Sequence, residues 1–207
     1  MLLYRKYSII AQFLVIKVKK GEEMEKNIYL FLAKGFEEVE ALAVVDILRR
    51  SKLGCIMVSI MEEKEVEGSH GITVIADKLF DEVNFSQADM IILPGGMPGT
   101  TNLADYKPLV EQLKEFHKEG KMIGAICAAP GVLGENDILQ GLTAACHPGF
   151  EEKLKGANVV FDEVAVDKNV ITSRGMGTAI PFGLAIVKHF LGEEVVEKLE
   201  TALVYKK

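Results

Sequence analysis

The chain has 207 residues, 49% hydrophobic and 26% charged, with no low-complexity tract, which predicts one soluble α/β domain with a substantial core and leaves no length for a second full domain. Its 24 basic and 30 acidic residues give a net charge of −6, and no Lys/Arg cluster is interleaved with aromatics, so no nucleic-acid partner is expected. Three cysteines, Cys55, Cys127 and Cys146, form neither a disulfide framework nor a Cys-x-x-Cys knuckle; with four scattered histidines they predict a reducing, cytoplasmic setting and no metal site.

Residues 1–26 read as an N-terminal extension ahead of a single domain over 27–207. Arg5 and Lys6 precede an apolar stretch from Ile9 to Ile16, and Lys17, Lys19 and Lys20 follow it. The stretch is too short to span a bilayer and no small-residue cleavage site follows, so neither a membrane span nor a signal peptide is expected. A basic membrane-surface helix is the alternative. Gly21-Glu22-Glu23-Met24 is encodable by a purine-rich run ahead of an ATG, the pattern of a ribosome-binding site, which makes Met24 the expected start.

From Asn27 onward, short apolar runs alternate with longer amphipathic ones, the pattern of a parallel sheet flanked by helices. Strands are predicted over 27–33, 55–60, 90–93, 122–126 and 170–172, and helices over 37–51, 109–118, 178–190 and 193–203. Arg49 and Arg50 near Gly54 suit the end of the first helix. Ile72 to Ile75 reads as an excursion from the second strand, beyond the charged run Glu62 to Glu67. In open α/β sheets, ligands sit beyond the carboxyl ends of the parallel strands. Three features fall there: the acidic stretch Gly35 to Glu40, the turn Pro94-Gly95-Gly96, and Cys127.

The run Met122 to Gly131 reads as a buried strand that ends on Cys127 and turns straight into a helix. Such a turn lifts one side chain out of the fold; Ala125 and Ala129 leave room for the bend, and the N–H groups of the next helix point at the sulfur. Helix N-termini lower a cysteine pKa from about 8.5 into the range of roughly 3.5 to 7.5, so a thiolate at neutral pH is expected, with a small buried hydrophobe as the alternative. Glu40 either complements the positive end of its helix, as Glu37 and Glu38 are expected to do in solvent, or faces the sulfur as a protonated donor. The N–H groups of Gly96 and Ala128 would form an oxyanion hole, although a double glycine also marks a plain tight turn.

His147, in the turn Ala145 to Pro148, is the candidate basic partner, whereas His117 and His189 read as helix-surface residues. Arg174, in the late glycine turn, either binds a carboxylate or phosphate or pairs with an acidic residue across a subunit contact. Gly95-Gly96-x-x-Gly99 precedes no Lys-Ser/Thr, and no Gly-x-Gly-x-x-Gly follows the first strand, so no nucleotide cofactor is expected.

The stretches Leu32 to Glu40, Leu93 to Gly99, Ala125 to Pro130, His147-Pro148 and Thr172 to Ala179 together resemble the ThiJ/PfpI superfamily, and are closest to the branch of the Parkinson-disease protein DJ-one and its bacterial relatives. The resemblance runs from Asn27 to about Leu203. It implies a flavodoxin-like α/β sandwich, mostly parallel with helices on both faces, usually a homodimer and without a cofactor. It implies Cys127 as the elbow nucleophile, easily oxidised to sulfinic acid, and Glu40 as the protonated carboxyl bonded to it. Gly96 and Ala128 become backbone donors, with His147 nearby and Gly95, His70 and Arg174 as further pocket candidates.

The branch is associated with glyoxalase activity toward methylglyoxal, with deglycation and with redox-responsive chaperoning. The expected function is therefore a cysteine-dependent enzyme acting on a small reactive carbonyl, methylglyoxal to lactate; the alternative is a stress sensor or chaperone working through Cys127 oxidation. This sequence also departs from related patterns. Ala128 stands where the PfpI protease branch has histidine, which disfavours a peptidase, and His189-Phe190-Leu191 lacks the late His-x-Glu of glutamine amidotransferases. Ser69-His70 stands where relatives have Ser-Arg, and Cys146 replaces a threonine, either as a resolving thiol or as a bystander.

Overall fold

The structure is a computed structural model and describes residues 26–205. The expectations for residues 1–23, the membrane-surface helix and the Met24 start among them, lie outside the described residues. The chain opens with β1 (Asn27–Leu32), α1 (Glu38–Arg50), β2 (Gly54–Ser59), a hairpin of β3 (Glu65–Glu67) and β4 (Thr73–Ile75), and the short β5 (Lys78–Leu79). Its middle holds β6 (Met90–Leu93), α2 (Gly99–Asp105), α3 (Lys107–Glu119), β7 (Met122–Ile126) and α4 (Pro130–Glu135). It closes with β8 (Thr143–Ala144), β9 (Asn158–Val159), β10 (Val164–Asp167), β11 (Val170–Ser173), α5 (Ala179–Leu191) and α6 (Glu193–Ala202).

Seven strands form one sheet in the order β10-β11-β7-β6-β1-β2-β5, parallel throughout except for β10 against β11. β6 and β7 are buried along their whole length, as strands covered on both faces must be. β1 shows how the two faces are made: Ile28, Leu30 and Leu32 join the core under α1, α5 and α6, while Tyr29 and Phe31 join the core under α2, α3 and α4. This is the sandwich expected from the sequence.

Glycines set the close approaches. A Cβ at Gly124 would stand 2.7 Å from Met90 Cε and 3.1 Å from Phe182 Cζ, so the bare backbone of β7 is what lets α5 settle on the sheet. α1 is capped by Glu37, whose carboxylate accepts the Glu40 N–H at 2.6 Å, and it ends with Arg49 and Arg50 in its last turn.

The elements that escaped the pattern reading include α2 and the short strands β5, β8 and β9, and two of them, β3 and β10, show why. β3 lies inside the charged run, where Val66 is buried between two exposed glutamates; this is a half-buried strand whose charges are its solvent face. β10 is an antiparallel edge strand that buries only Ala165, too sparse a signal against the apolar strands beside it.

Candidate active site

β7 carries the chain to the sheet edge, where it turns on Cys127 with φ at 66°, in the left-handed region. A non-glycine residue there costs about 1–3 kcal/mol, so the surrounding structure must hold it. It does so from both sides of the peptide: Cys127 N–H donates to the Ser173 carbonyl at 3.0 Å, and the Cys127 carbonyl accepts the His147 N–H at 2.8 Å. The sulfur is half-buried and receives the backbone N–H groups of Ala128 and Gly96.

Glu40 reaches the same point from the first turn of α1. It is only 1% exposed, and its carboxyl is hydrogen-bonded to the Cys127 thiol, to Gly95 N–H at 2.9 Å and to Met176 N–H. A Cβ on Gly95 would lie 2.6 Å from both Cys127 Cβ and Glu40 Oε2, so the two side chains meet over a backbone that only glycine can supply.

Burial raises the Glu40 carboxyl to about 7; the bonds from Cys127, Gly95 and Met176 work against that rise, and the charge of Glu37 adds to it. Burial, the Glu40 charge and the Glu40 hydrogen bond push the Cys127 thiol up to about 12, against the pull of Ala128 and Gly96. This corrects the expectation of a thiol simply lowered by a helix N-terminus. α4 is a short helix beginning only at Pro130, and burial beside a carboxylate outweighs its donors. The pair titrates as one unit: a carboxyl that keeps its proton spares the sulfur a negative neighbour.

The structure brings Cys127, Glu40, Gly95, Gly96 and Ala128 together. His147 comes close through its backbone and its ring edge, since a Cβ on Gly175 would stand 3.5 Å from His147 Cδ2 and 3.8 Å from Glu40 Oε1. Its ring is exposed, with Nδ1–H donating to the Pro148 carbonyl at 2.9 Å and Phe150 edge-on.

His70 and Arg174 are not at the sulfur. Arg174 lies over the Phe161 ring and donates to the Phe161 carbonyl at 3.3 Å. His70 is exposed, with Nδ1 at 2.8 Å from Glu38 Oε2.

Glu38 is the group the sequence reading misplaced. Expected in solvent, it is 3% exposed and accepts His70 N–H at 2.7 Å and Ser69 Oγ–H at 3.3 Å, clamping the β3–β4 turn over the start of α1. Burial raises its pKa, but the His70 ring and backbone N–H bonds outweigh it and bring the carboxyl down to about 2. Glu37 caps α1 rather than standing free. Among the described residues, Glu37, Glu38 and His70 bring one potential metal-donor atom each within 4.8 Å of one another, a grouping their spacing in sequence does not announce. The Glu38 donor atoms there are already engaged by His70 and Ser69.

Cys146 is 4% exposed in the core under α2, α3 and α4, whereas Cys127 packs against the core on the other face of the sheet. The Met176 N–H and the Ser173 carbonyl were also missed; backbone groups leave no residue-type signature. Two cavities of about 600 and 620 Å³ lie elsewhere, around Arg49 and Cys55 and around Lys34 and Met61. The cavity lined in part by Ala128 is smaller, about 210 Å³.

Fold and site together define an α/β sandwich protein whose strand-turn-helix elbow presents a cysteine to a buried glutamate. The model of the DJ-1/PfpI family matches residues 26–189, and the chain belongs to that family. Protein DJ-1 homolog A of Arabidopsis thaliana is 41% identical over 172 residues, 83% of this chain and 44% of that protein. The chain thus spans less than half the length of this relative, and 42% of its Arabidopsis counterpart, Protein DJ-1 homolog B. The Caenorhabditis elegans protein named glutathione-independent glyoxalase DJR-1.2 is 35% identical over 168 residues, 79% of this chain and 87% of that protein. The structure of oxidized Toxoplasma gondii DJ-1 superposes with a TM-score of 0.84 at 33% identity, over 88% of this chain and 100% of the other.

Proposed function

We propose that this chain is a cysteine-dependent, cofactor-independent enzyme of reactive carbonyls, of the glyoxalase or deglycase type, that converts methylglyoxal to lactate. The observation that carries this reading is the buried hydrogen-bonded pair of Glu40 and Cys127, with the N–H groups of Gly96 and Ala128 on the sulfur. The C. elegans relative named a glutathione-independent glyoxalase supports it.

In this mechanism the Cys127 sulfur bonds to the aldehyde carbon, and the thiol proton passes through Glu40 to the aldehyde oxygen, giving a hemithioacetal. Gly96 and Ala128 hold that oxygen while charge develops on it. Glu40, then a carboxylate, removes the proton from the sulfur-bearing carbon, and the electron pair moves toward the ketone oxygen as an enediolate forms. Returning that proton to the adjacent carbon, while the hydroxyl proton moves to the former ketone oxygen, leaves a lactoyl thioester. Water cleaves the thioester, releasing lactate and restoring the thiol. A carboxyl near pKa 7 suits both halves of this shuttle, because it gives and takes a proton at neutral pH.

We also propose that the working form is a homodimer. Val39 and Leu42 on α1, with Ile72 and Ile75 on the hairpin, are large exposed apolar side chains that a subunit contact would cover. Sedimentation at micromolar concentration checks this.

The deciding assay is lactate formation from methylglyoxal with no glutathione added. Wild-type turnover that vanishes in Cys127→Ala supports the reading. Equal turnover in the two proteins overturns it. Absence of lactate from wild type, with peroxide converting Cys127 to the sulfinic acid, would replace it with the redox-sensor reading.

A further inference from the structure

The Thr178 hydroxyl, between β11 and α5, closes a loop on itself. It accepts Arg174 N–H at 3.2 Å and Gly175 N–H at 3.1 Å, meets Ser173 Oγ at 2.7 Å and reaches the Gly175 carbonyl at 2.9 Å as donor. The Thr178 N–H donates to that same carbonyl at 2.8 Å. Ser173 Oγ in turn donates to the Glu163 carbonyl at 2.6 Å, which ties the loop to the segment ahead of β10.

Two backbone groups leave this loop toward the candidate site. The Ser173 carbonyl receives Cys127 N–H at 3.0 Å, and Met176 N–H donates to the Glu40 carboxyl. A Cβ on Gly175, between them, would stand 3.8 Å from Glu40 Oε1. One side chain therefore governs the turn that grips the strained cysteine on one side and the buried glutamate on the other.

We propose that Thr178 is a positioning residue: its hydroxyl shapes the 173–178 loop so that Met176 N–H stays on Glu40 and the Ser173 carbonyl stays on Cys127 N–H. Without the hydroxyl, Arg174 N–H and Gly175 N–H lose their acceptor and the loop relaxes. Met176 N–H then leaves the carboxyl, the ionised form of the pair loses a donor, and its first ionisation moves upward. The other titratable groups facing the pair are Glu37 at the start of α1 and His147 after β8, and neither is touched by the substitution. The consequence for turnover rests on the reactive-carbonyl reading above; the consequence for the sulfur does not.

The test is the pH profile of Cys127 alkylation by iodoacetamide on the full chain, read by mass spectrometry, with circular dichroism to confirm folding. Thr178→Val keeps the branched shape and is expected to move the lower midpoint of the curve, the first ionisation of the Glu40–Cys127 pair, upward by about one pH unit, the scale of one hydrogen bond to a charged group. Thr178→Ser, which keeps the hydroxyl, is expected to restore the wild-type curve. A folded Thr178→Val protein whose profile lies on the wild-type curve overturns the proposal.

If Thr178→Val does not fold, Ser173→Ala removes the neighbouring partner of the same hydroxyl and is expected to shift the midpoint the same way, and an unshifted curve again overturns it. With methylglyoxal, Thr178→Val is expected to lower kcat about tenfold with little change in KM, the mark of a group displaced in the transition state. A wild type that makes no lactate removes the carbonyl reading and leaves the alkylation profile to decide the role of Thr178.

Discussion

Glu38 and Glu40 stand two positions apart in the first turn of α1, both almost fully buried, and their carboxyls are displaced in opposite directions, to about 2 and about 7. Helix position does not separate them, because both lie in the same positive end. The balance of burial against partners does. At the hairpin corner, the imidazole and backbone donors on Glu38 outweigh its burial; at the elbow corner, burial prevails over the bonds from Cys127, Gly95 and Met176, and the charge of Glu37 adds to the rise. One carboxylate is a structural clamp and the other is set near neutrality, where proton transfer is easiest.

The largest expected effect breaks the elbow corner. Cys127→Ala should lower lactate formation from methylglyoxal by at least about 10³-fold, since no other group takes over the covalent step. Glu40→Gln follows, with a loss of about 10²–10⁴-fold, the range of a general acid-base group. The same substitution should move alkylation the other way: removing the carboxylate charge that helps push the Cys127 thiol up makes labelling above pH 7 faster than in wild type. Slower labelling together with lost turnover would mean that the substitution had disturbed the site rather than removed a proton carrier.

Stability sharpens the contrast. The folded-state pKa of Glu40 is raised above its ordinary 4.5, so between 4.5 and about 7 the folded chain holds a proton that the unfolded chain has released. The Glu40 contribution is therefore intact below pH 4.5 and is lost as pH rises through 7, at a cost of up to about 3 kcal/mol. Glu40→Gln should remove that decline, so that the variant gains on wild type in urea melts as pH rises from 5 to 8. A constant gap between the two proteins across that range would show that Glu40 is not buried as a carboxylate at neutral pH.

Much of the elbow corner was legible in the residues. β6 and β7 fall within the predicted limits because Pro94-Gly95-Gly96 and Cys127 punctuate two wholly apolar runs, and Cys127, Glu40, Gly96 and Ala128 all carry recognisable local patterns. The hairpin corner was not. Burial of Glu38 depends on a turn far along the chain that lays Gly68, Ser69 and His70 on it, with no room at Gly68 for a side chain. A charged run and a histidine announce no such contact. The pKa of Cys127 was illegible for a similar reason: the local helix start suggests a lowered value, and the opposing terms come from packing and from a carboxylate delivered by α1.

The smallest effect should come from the hairpin corner. Glu38 has a depressed folded-state pKa, so its contribution is fully present above its ordinary 4.5 and is lost as pH falls through 2. Glu38→Gln keeps the shape but removes the charge that His70 N–H, Ser69 Oγ–H and the His70 ring address, and should cost about 1–3 kcal/mol in urea melts at pH 7. The cost should shrink as the pH approaches 2, where wild-type Glu38 takes up its own proton. Turnover of methylglyoxal should be unchanged, because none of these bonds reaches the sulfur. A Glu38→Gln protein that melts like wild type would remove the clamp, and one that loses turnover as deeply as Glu40→Gln would make the two corners a single site.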